Sequence, residues 1–362
     1  MSRTRVLLIF GGQSAEHEIS VISARSVCAA IDSSRYEVIR VGITRSGEWF
    51  LDDDQASLLG QKEVTEEGFT RVRLSDTSWD LTDSHGTQLP QTQFDVVFPL
   101  LHGPRGEDGT MQGLLELAGA AYVGAGVAAS AVGMDKELSR AVFATVGLRQ
   151  TEYLVARRSA WQEKPSSVVH EIEAALKYPL FVKPANLGSS IGISKVHNRE
   201  ALTDAMNFAG GYDLKIMVEE SVEHSRELEC AVLGNEEVEA SGIGEIIPGA
   251  EFYDYTTKYL DDRSQLIIPA DLPKAVSEAV REMSVRAFQA IDGCGLARVD
   301  FLLAPSGDVF LNELNTMPGF TSISMYPKLW QASGMSYPDL IDRLIQLGLE
   351  RHRDRDSIIC TR

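Results

Sequence analysis

The first third of the chain alternates unbroken apolar runs with amphipathic stretches. Arg5 to Phe10 (Arg-Val-Leu-Leu-Ile-Phe) lacks polar alternation, as expected for a strand buried on both faces of a parallel sheet. Past the Gly11-Gly12 turn, Ile19, Ile22 and Val27 recur at helical spacing, which predicts a helix. Tyr36 to Ile43 predicts a second strand and Asp95 to Leu101 a third. Strand, glycine turn and helix form a βα unit whose loop opens at the carboxyl edge of the sheet, where ligands bind. Residues 52 to 92 are polar, acidic and weakly periodic and carry no structural assignment. The third strand runs into His102-Gly-Pro-Arg-Gly-Glu-Asp-Gly109, then a helix presenting Met111, Leu114, Leu115 and Ala118 on one face. Small residues from Gly124 to Asp135 precede a helix from Glu137 to about Val146, and the first domain boundary is placed there.

Residues 157 to 167 read as a surface connection before a helix from Val168 to Leu176. Tyr178-Pro-Leu-Phe-Val-Lys183 is an apolar strand ending in lysine. A loop containing Gly188-Ser189-Ser190-Ile-Gly192 follows, then the returning strand of a hairpin. Backbone N–H groups of such a loop can cradle phosphate, with the lysine as a point charge; a flexible hairpin tip is the plainer reading. Lys215 to Glu220, Arg226 to Leu233 and Glu245 to Pro248 predict further strands. Residues 249 to 268 mix aromatic and charged residues without period. Ordered loops of that length are usually functional, so a lid is expected, with Lys258 and Tyr259 as its polar tips. Helices are predicted from Val276 to Ile291 and from about Tyr337 to Leu349. The fold class is α/β with α+β elements.

The densest chemistry lies between Arg298 and Phe320, where two apolar, β-prone runs flank a Pro-Ser-Gly-Asp turn, a hairpin signal. If Ser306 and Gly307 form a two-residue turn, Asp300 faces Glu313 and Arg298 faces Asn315. Like charges directly across a ladder destabilise a sheet. Two carboxylates and an amide oxygen on one face make a hard-oxygen site suited to Mg²⁺ shared with a phosphate; a solvated hairpin face is the alternative. Glu16 and Glu18 sit in the first turn of the first helix, where the dipole alone accounts for them. His102 is either a loop residue with a function or a satisfied structural histidine.

The length of 362 residues suggests two or three domains. A formal charge of −18 disfavours nucleic acid or an anionic membrane as partner. Cys28, Cys230, Cys294 and Cys360 are scattered without a CxxC, which argues against a zinc site or a disulfide framework. With no signal peptide and no apolar run long enough to cross a bilayer, a cytoplasmic protein is expected.

A hard-oxygen hairpin, a lysine beside a Gly/Ser loop and a lid are the needs of nucleotide-driven phosphoryl transfer. Water exclusion would protect an acyl phosphate from hydrolysis. Seven motifs then occur in one order: Gly11-Gly-Gln-Ser-Ala-Glu16-His-Glu, His102 to Gly109, Met134-Asp-Lys136, Val182-Lys183-Pro to Gly192, Lys258-Tyr259, Arg298-Val-Asp300, and Asn312-Glu313-Leu-Asn315 to Ser324. On these the chain resembles the D-alanine–D-alanine ligase family of the ATP-grasp superfamily, nearly end to end. The resemblance implies a three-domain ATP-grasp architecture. Residues 1–137 would form an N-terminal substrate-binding α/β domain built on a parallel sheet, and 138–240 a central domain. The last, 241–362, would carry the lid and the metal-binding hairpin.

The resemblance also implies roles. Lys136, Lys183 and Lys258 would meet the phosphates of ATP, Ser190 would also bind ATP, Glu219 and Val222 would border the adenine, and Glu227 would hold the ribose. Asp300, Glu313 and Asn315 would bind two Mg²⁺, with Mn²⁺ as a substitute; a monovalent cation such as K⁺ is a further expectation. Glu16 would contact the first D-alanine and link through Ser189 to Tyr259. Arg298 and the Gly319 N–H would stabilise the tetrahedral oxyanion. Ser324 and the Met325 N–H would receive the second substrate's carboxylate, and His102 would line the pocket. A homodimer is expected. D-lactate-using relatives resemble this sequence with histidine where it has Tyr259, and Tyr259 carries no charge near neutrality, so a dipeptide product is expected. The alternatives are a D-alanine–D-lactate ligase, another ATP-grasp amino-acid ligase, a non-catalytic nucleotide-binding module and a structural protein. The last leaves the opposed Asp300 and Glu313 unexplained.

Overall fold

The computed structural model describes residues 3–52, 57–74, 80–89, 92–247 and 265–359. Among the described residues three sheets follow one another along the chain. In the first, β1 (Thr4–Gly11) leads through α1 (His17–Ala30) to β2 (Tyr36–Ile43). β3 (Trp49–Asp52), β4 (Thr70–Leu74), β5 (Leu81–Asp83) and β6 (Val96–Leu100) complete the order β5-β4-β3-β2-β1-β6. Both neighbours of β1 pair with it in parallel. Val6 to Phe10 are fully buried, which is why that run has no polar alternation. The parallel expectation holds for β2, β1 and β6 alone. Within the excursion that sequence left unassigned, β4 and β5 extend the sheet antiparallel.

α2 (Thr110–Leu117), α3 (Val127–Met134) and α4 (Lys136–Thr145) lead to the second sheet. The stretch of small residues is therefore largely helix. Its Gly133 packs so close that a Cβ there would lie 3.0 Å from the Thr316 methyl. β7 (Tyr153–Arg157), α5 (Arg158–Glu163), α6 (Pro165–Ala175), β8 (Leu180–Pro184), β9 (Ser194–Val196), α7 (Arg199–Ala209) and β10 (Lys215–Glu220) follow, with the strands ordered β7-β10-β8-β9. The surface connection expected at 157 to 167 is instead helical. Trp161 is buried with its Nε1 donating to Asn207 Oδ1 at 2.9 Å. Pro165 opens α6, where its missing N–H is no loss.

The third sheet contains β11 (Arg226–Gly234), β12 (Val238–Ile247) and β13 (Gln265–Ile267); α8 (Lys274–Ala290) precedes β14 (Gly295–Leu303) and β15 (Val309–Asn315). α9 (Met325–Ala332) and α10 (Tyr337–Asp356) close the chain, and the strands are ordered β13-β12-β11-β14-β15. A division at residue 240 would fall inside β12. Within the expected lid, residues 265–267 form β13 against β12, while Lys258 and Tyr259 lie outside the described residues. α9 was not among the predicted helices; its Pro327 lies in the first turn, where proline does no harm. Among the described residues no helix is long and apolar enough to cross a membrane.

The β14–β15 hairpin has the expected register for a different reason. Its loop is one residue longer: Ala304 N donates to Asp308 O at 2.9 Å across Pro305, Ser306 and Gly307, with Gly307 at φ 90°. This is the three-residue hairpin loop with a left-handed third position. Phe301 consequently pairs with Leu311, but a bulge at Asn312 takes up the extra residue and Asp300 again faces Glu313. Two departures cancel.

One apolar cluster joins the first and third sheets and the last two helices: Val6, Phe98, Ala231, Leu296, Tyr326 and Leu344 share it. Phe320 sits in it with no exposed surface, its ring 5.8 Å from Phe98, 5.9 Å from Tyr326 and 5.6 Å from Tyr337. Tyr337 Oη also donates to Phe320 O at 2.7 Å. Phe320→Ala is expected to cost about 3–5 kcal/mol of stability, checked by urea unfolding. A cost under about 1 kcal/mol would show that the sheets are held together elsewhere.

Candidate active site

Between the second and third sheets lies a cavity of about 450 Å³. Its walls bring together nine sequence-predicted residues: Lys136, Lys183, Ser189, Ser190, Glu219 and Val222 on one side, Glu227, Asp300 and Glu313 on the other. Lys183 leaves β8 and contacts Glu219 on β10, both on the face turned to the cavity. Lys136, the first residue of α4, donates to Leu187 O at 2.8 Å and lies 3.4 Å from Glu313 Oε2. Ser189 and Ser190 both adopt left-handed backbones, φ 51° and 57°. That conformation is uncommon without glycine and is held at local cost; the Ile191 N–H closes the turn on Gly188 O at 3.2 Å.

On the hairpin, Arg298 grips Asp300 with both arms of its guanidinium, at 2.7 and 2.6 Å, and lies 2.9 Å from Glu229. Burial disfavours its charge, but Asp300 and Glu229 hold its pKa well above the ordinary value. Asn315 Nδ2 donates to Asp300 Oδ2 at 3.1 Å; a half-turn of the amide would present its oxygen instead. Among the described residues no three His, Cys, Asp or Glu side chains form a metal-holding group. Mg²⁺, however, needs only one or two carboxylates when substrate phosphates and water complete its shell. The facing Asp300 and Glu313 at the cavity wall fit that requirement.

Glu16, at the start of α1, accepts a hydrogen bond from Ser189 Oγ. This contact joins the first sheet to the loop of the second. Its carboxylate packs so tightly on two glycines that a Cβ would lie 2.7 Å from Glu16 Oε2 at Gly103 and 3.2 Å at Gly188. His102 is buried, with Nδ1 3.0 Å from Met317 O and Nε2 3.1 Å from Ser23 Oγ. Nδ1–H donating and Nε2 accepting is the neutral tautomer, and burial lowers the pKa to match, against the pull of Glu16. His102 lines a separate cavity of about 310 Å³ in the first sheet rather than the larger one. Gly319, Ser324 and Met325 gather at the N-terminus of α9. A Cβ on Gly319 would lie 3.2 Å from Ser324 Oγ, which receives the Thr321 N–H at 3.1 Å.

Family models for the D-Ala–D-Ala ligase N-terminus and C-terminus match residues 5–125 and 142–346. The chain belongs to the D-alanine–D-alanine ligase family. It is 47% identical to the D-alanine–D-alanine ligase of Acetivibrio thermocellus, with 97% of each chain covered. To that of Geobacillus kaustophilus it is also 47% identical, covering 99% of this chain and 98% of the relative. Among solved structures, the D-alanine–D-alanine ligase of Coxiella burnetii superposes with a TM-score of 0.86 at 34% identity, covering 98% and 97%. VanG D-Ala:D-Ser ligase from Enterococcus faecalis gives the same TM-score at 35% identity, covering 96% and 100%.

In this family member, sequence reasoning missed four buried groups around the site. Arg140 lies one helical turn beyond Lys136, a spacing that puts both on one face, and it contacts Glu219 together with Thr151. Glu229 faces Asp300 across β11 and β14, and its alternation with Glu227 was the available signal. Glu107 lay in a quoted motif but received no role. It accepts from Gly103 N at 2.8 Å and from the Met317 N–H, clamping the His102 loop to the third sheet's trailing segment.

Burial, then Glu16, pushes the Glu107 carboxyl from 4.5 up to about 8. The native state therefore holds a proton that the unfolded chain releases, and stability falls as pH rises between those values. The contribution is complete below the unfolded pKa and gone above about 8. Glu107→Gln, which cannot ionise, is expected to flatten the loss of thermal midpoint between about pH 6 and pH 9. An unchanged slope would locate the titrating group elsewhere.

Proposed function

We propose that this chain is an ATP-dependent, ADP-forming ligase that joins two D-alanines through a D-alanyl phosphate, supplying a peptidoglycan precursor. The observation that carries this reading is the Glu16–Ser189 hydrogen bond. It places the loop expected to hold an amino acid against the loop expected to hold phosphates. In the proposed arrangement Lys136, Lys183 and the Ser189–Ser190 backbone hold the phosphates, Glu219 and Val222 border the adenine, and Glu227 takes the ribose. Asp300, Glu313 and Asn315 would hold Mg²⁺, which when bound neutralises charge on the transferred phosphoryl group. The first substrate's carboxylate attacks the γ-phosphorus of ATP and ADP leaves. The second substrate's amine, once deprotonated, attacks the acyl carbonyl, and phosphate is expelled with the electron pair of the C–O bond.

The chain's own residues serve each stage. Glu16 would pair with the first ammonium. Arg298 and the Gly319 N–H would face the tetrahedral oxygen, where preorganised donors contribute most. Ser324 and the Met325 N–H offer the start of α9 to the second carboxylate, a natural anion site. Lys258 and Tyr259 complete the proposal from the segment between β12 and β13. A homodimer in the cytoplasm and Mn²⁺ or K⁺ use belong to the same reading.

Tyr259 favours an amine over a hydroxy acid as second nucleophile. Assay of phosphate release with D-alanine alone, then with D-lactate or D-serine added, is expected to yield the dipeptide as main product by mass. Depsipeptide or D-alanyl-D-serine as main product would overturn the substrate assignment. Glu313→Gln is expected to lower turnover at least about a hundredfold with an unchanged circular dichroism spectrum. A fully active variant would refute its place in the metal site.

A further inference from the structure

Two buried cations meet one carboxylate behind the cavity. Lys183 contacts Glu219 Oε1, while Arg140 contacts Oε2, where Thr151 Oγ1 also donates at 3.1 Å. The Arg140 side chain is 2% exposed. Its other arm donates to Thr151 O and Oγ1 at 3.1 and 3.0 Å, and its guanidinium lies 5.0 Å from the centre of the Tyr153 ring. Arg140 does not line the cavity, whereas Lys183 and Glu219 do.

Counting charge gives the arrangement a meaning beyond packing. A lone Lys183–Glu219 pair would be neutral and would offer an anionic ligand little. With Arg140 behind it, the trio carries one net positive charge, and the carboxylate is already satisfied when Lys183 turns to another anion. We propose that Arg140 is a positioning residue for nucleotide binding: it takes over Glu219 and thereby releases the charge of Lys183 to the phosphates. This rests on the reading of the 450 Å³ cavity as the ATP site. Two further observations agree. Glu219 stays below the ordinary carboxylate range despite its burial because Arg140 and Lys183 both face it. α4 also presents Lys136, one turn before Arg140, to Glu313 on the opposite wall, so a single helix sets charge on both sides of the cavity.

The test compares Arg140→Met, which keeps the length of the chain over Tyr153 but not the charge, with Arg140→Lys, which keeps the charge. ADP affinity is read by calorimetry and the KM values for ATP and D-alanine by steady-state kinetics. Arg140→Met is expected to weaken ADP and raise the ATP KM about tenfold or more, with the D-alanine KM at saturating ATP unchanged. Arg140→Lys is expected to recover most of that loss. If Arg140→Met is too unstable to assay, Arg140→Lys binding ADP within about threefold of the parent supports the proposal, and a tenfold loss overturns it. Arg140→Met with parental ADP affinity overturns it, as does a loss spread equally over ATP and D-alanine. Lys183→Ala separates the two levels: if it too leaves ADP affinity unchanged, the reading of the cavity itself fails.

Discussion

Three carboxylates lie side by side across the third sheet: Glu229 on β11, Asp300 on β14 and Glu313 on β15. Such a row opposes the pairing of its own strands. Arg298, two residues before Asp300 on the same face of β14, spans Glu229 and Asp300, and Lys136 reaches Glu313 from α4. A row of acids with matched cations is not what stability alone would select, since apolar residues of similar size are often neutral or better in such places. The neighbours confirm how readily apolar residues could occupy this sheet, because Val299, Phe301 and Leu314 are buried on its other face. The row is accordingly best explained by a ligand that brings its own charges, and the rest of the molecule is arranged to deliver groups to it.

That delivery crosses all three sheets. The first sheet supplies Glu16, which meets Ser189 from the second, and His102, which meets Met317 just past β15. Glu107 fixes the same two backbones from beneath, and Phe320 seals the junction with Phe98. The polar contacts are short-range and directional while the apolar ones are not, so the aromatic cluster supplies adhesion and the hydrogen bonds supply register. Neither would place Gly319 and the start of α9 alone.

Much of this was legible in the sequence where local chemistry decides it. The apolar run of β1 and the lysine near the end of β8 both follow from period and charge. The hairpin is instructive because its premise was wrong: a longer loop and a bulge at Asn312 offset each other. Turn length and bulges depend on how the strand meets its neighbours, which no local pattern reports. Tertiary packing likewise hid α3 and α5, whose segments read as a run of small residues and a surface connection until their burial is known. Arg140 was missed because a buried arginine is defined by its partners, and Glu219 and Thr151 are remote from it in sequence. His102 was left between two readings; its ring nitrogens face Ser23 and Met317 O, which makes it a strut for the loop on which any contact with substrate would have to build.

The charge of the whole chain, −18, stands against the proposed anionic ligand only at long range. At physiological salt, screening acts over about 8 Å, so the distant acids matter little inside the cavity. What matters is local pairing. Lys136, Lys183 and Arg298 each already face a carboxylate, which spares them the penalty of isolated burial. An incoming phosphate would then be accepted by exchange of partner, carboxylate for phosphate, instead of by stripping water from bare cations. Exchange leaves the displaced carboxylates needing new cations, and this gives the acids a use in turn. Freed from Lys136, Glu313 would become available beside Asp300 for the divalent ion proposed to arrive with the nucleotide. Freed from Lys183, Glu219 keeps Arg140. A site in which these three cations each hold an acid in reserve would suit the proposed anion and divalent cation arriving together.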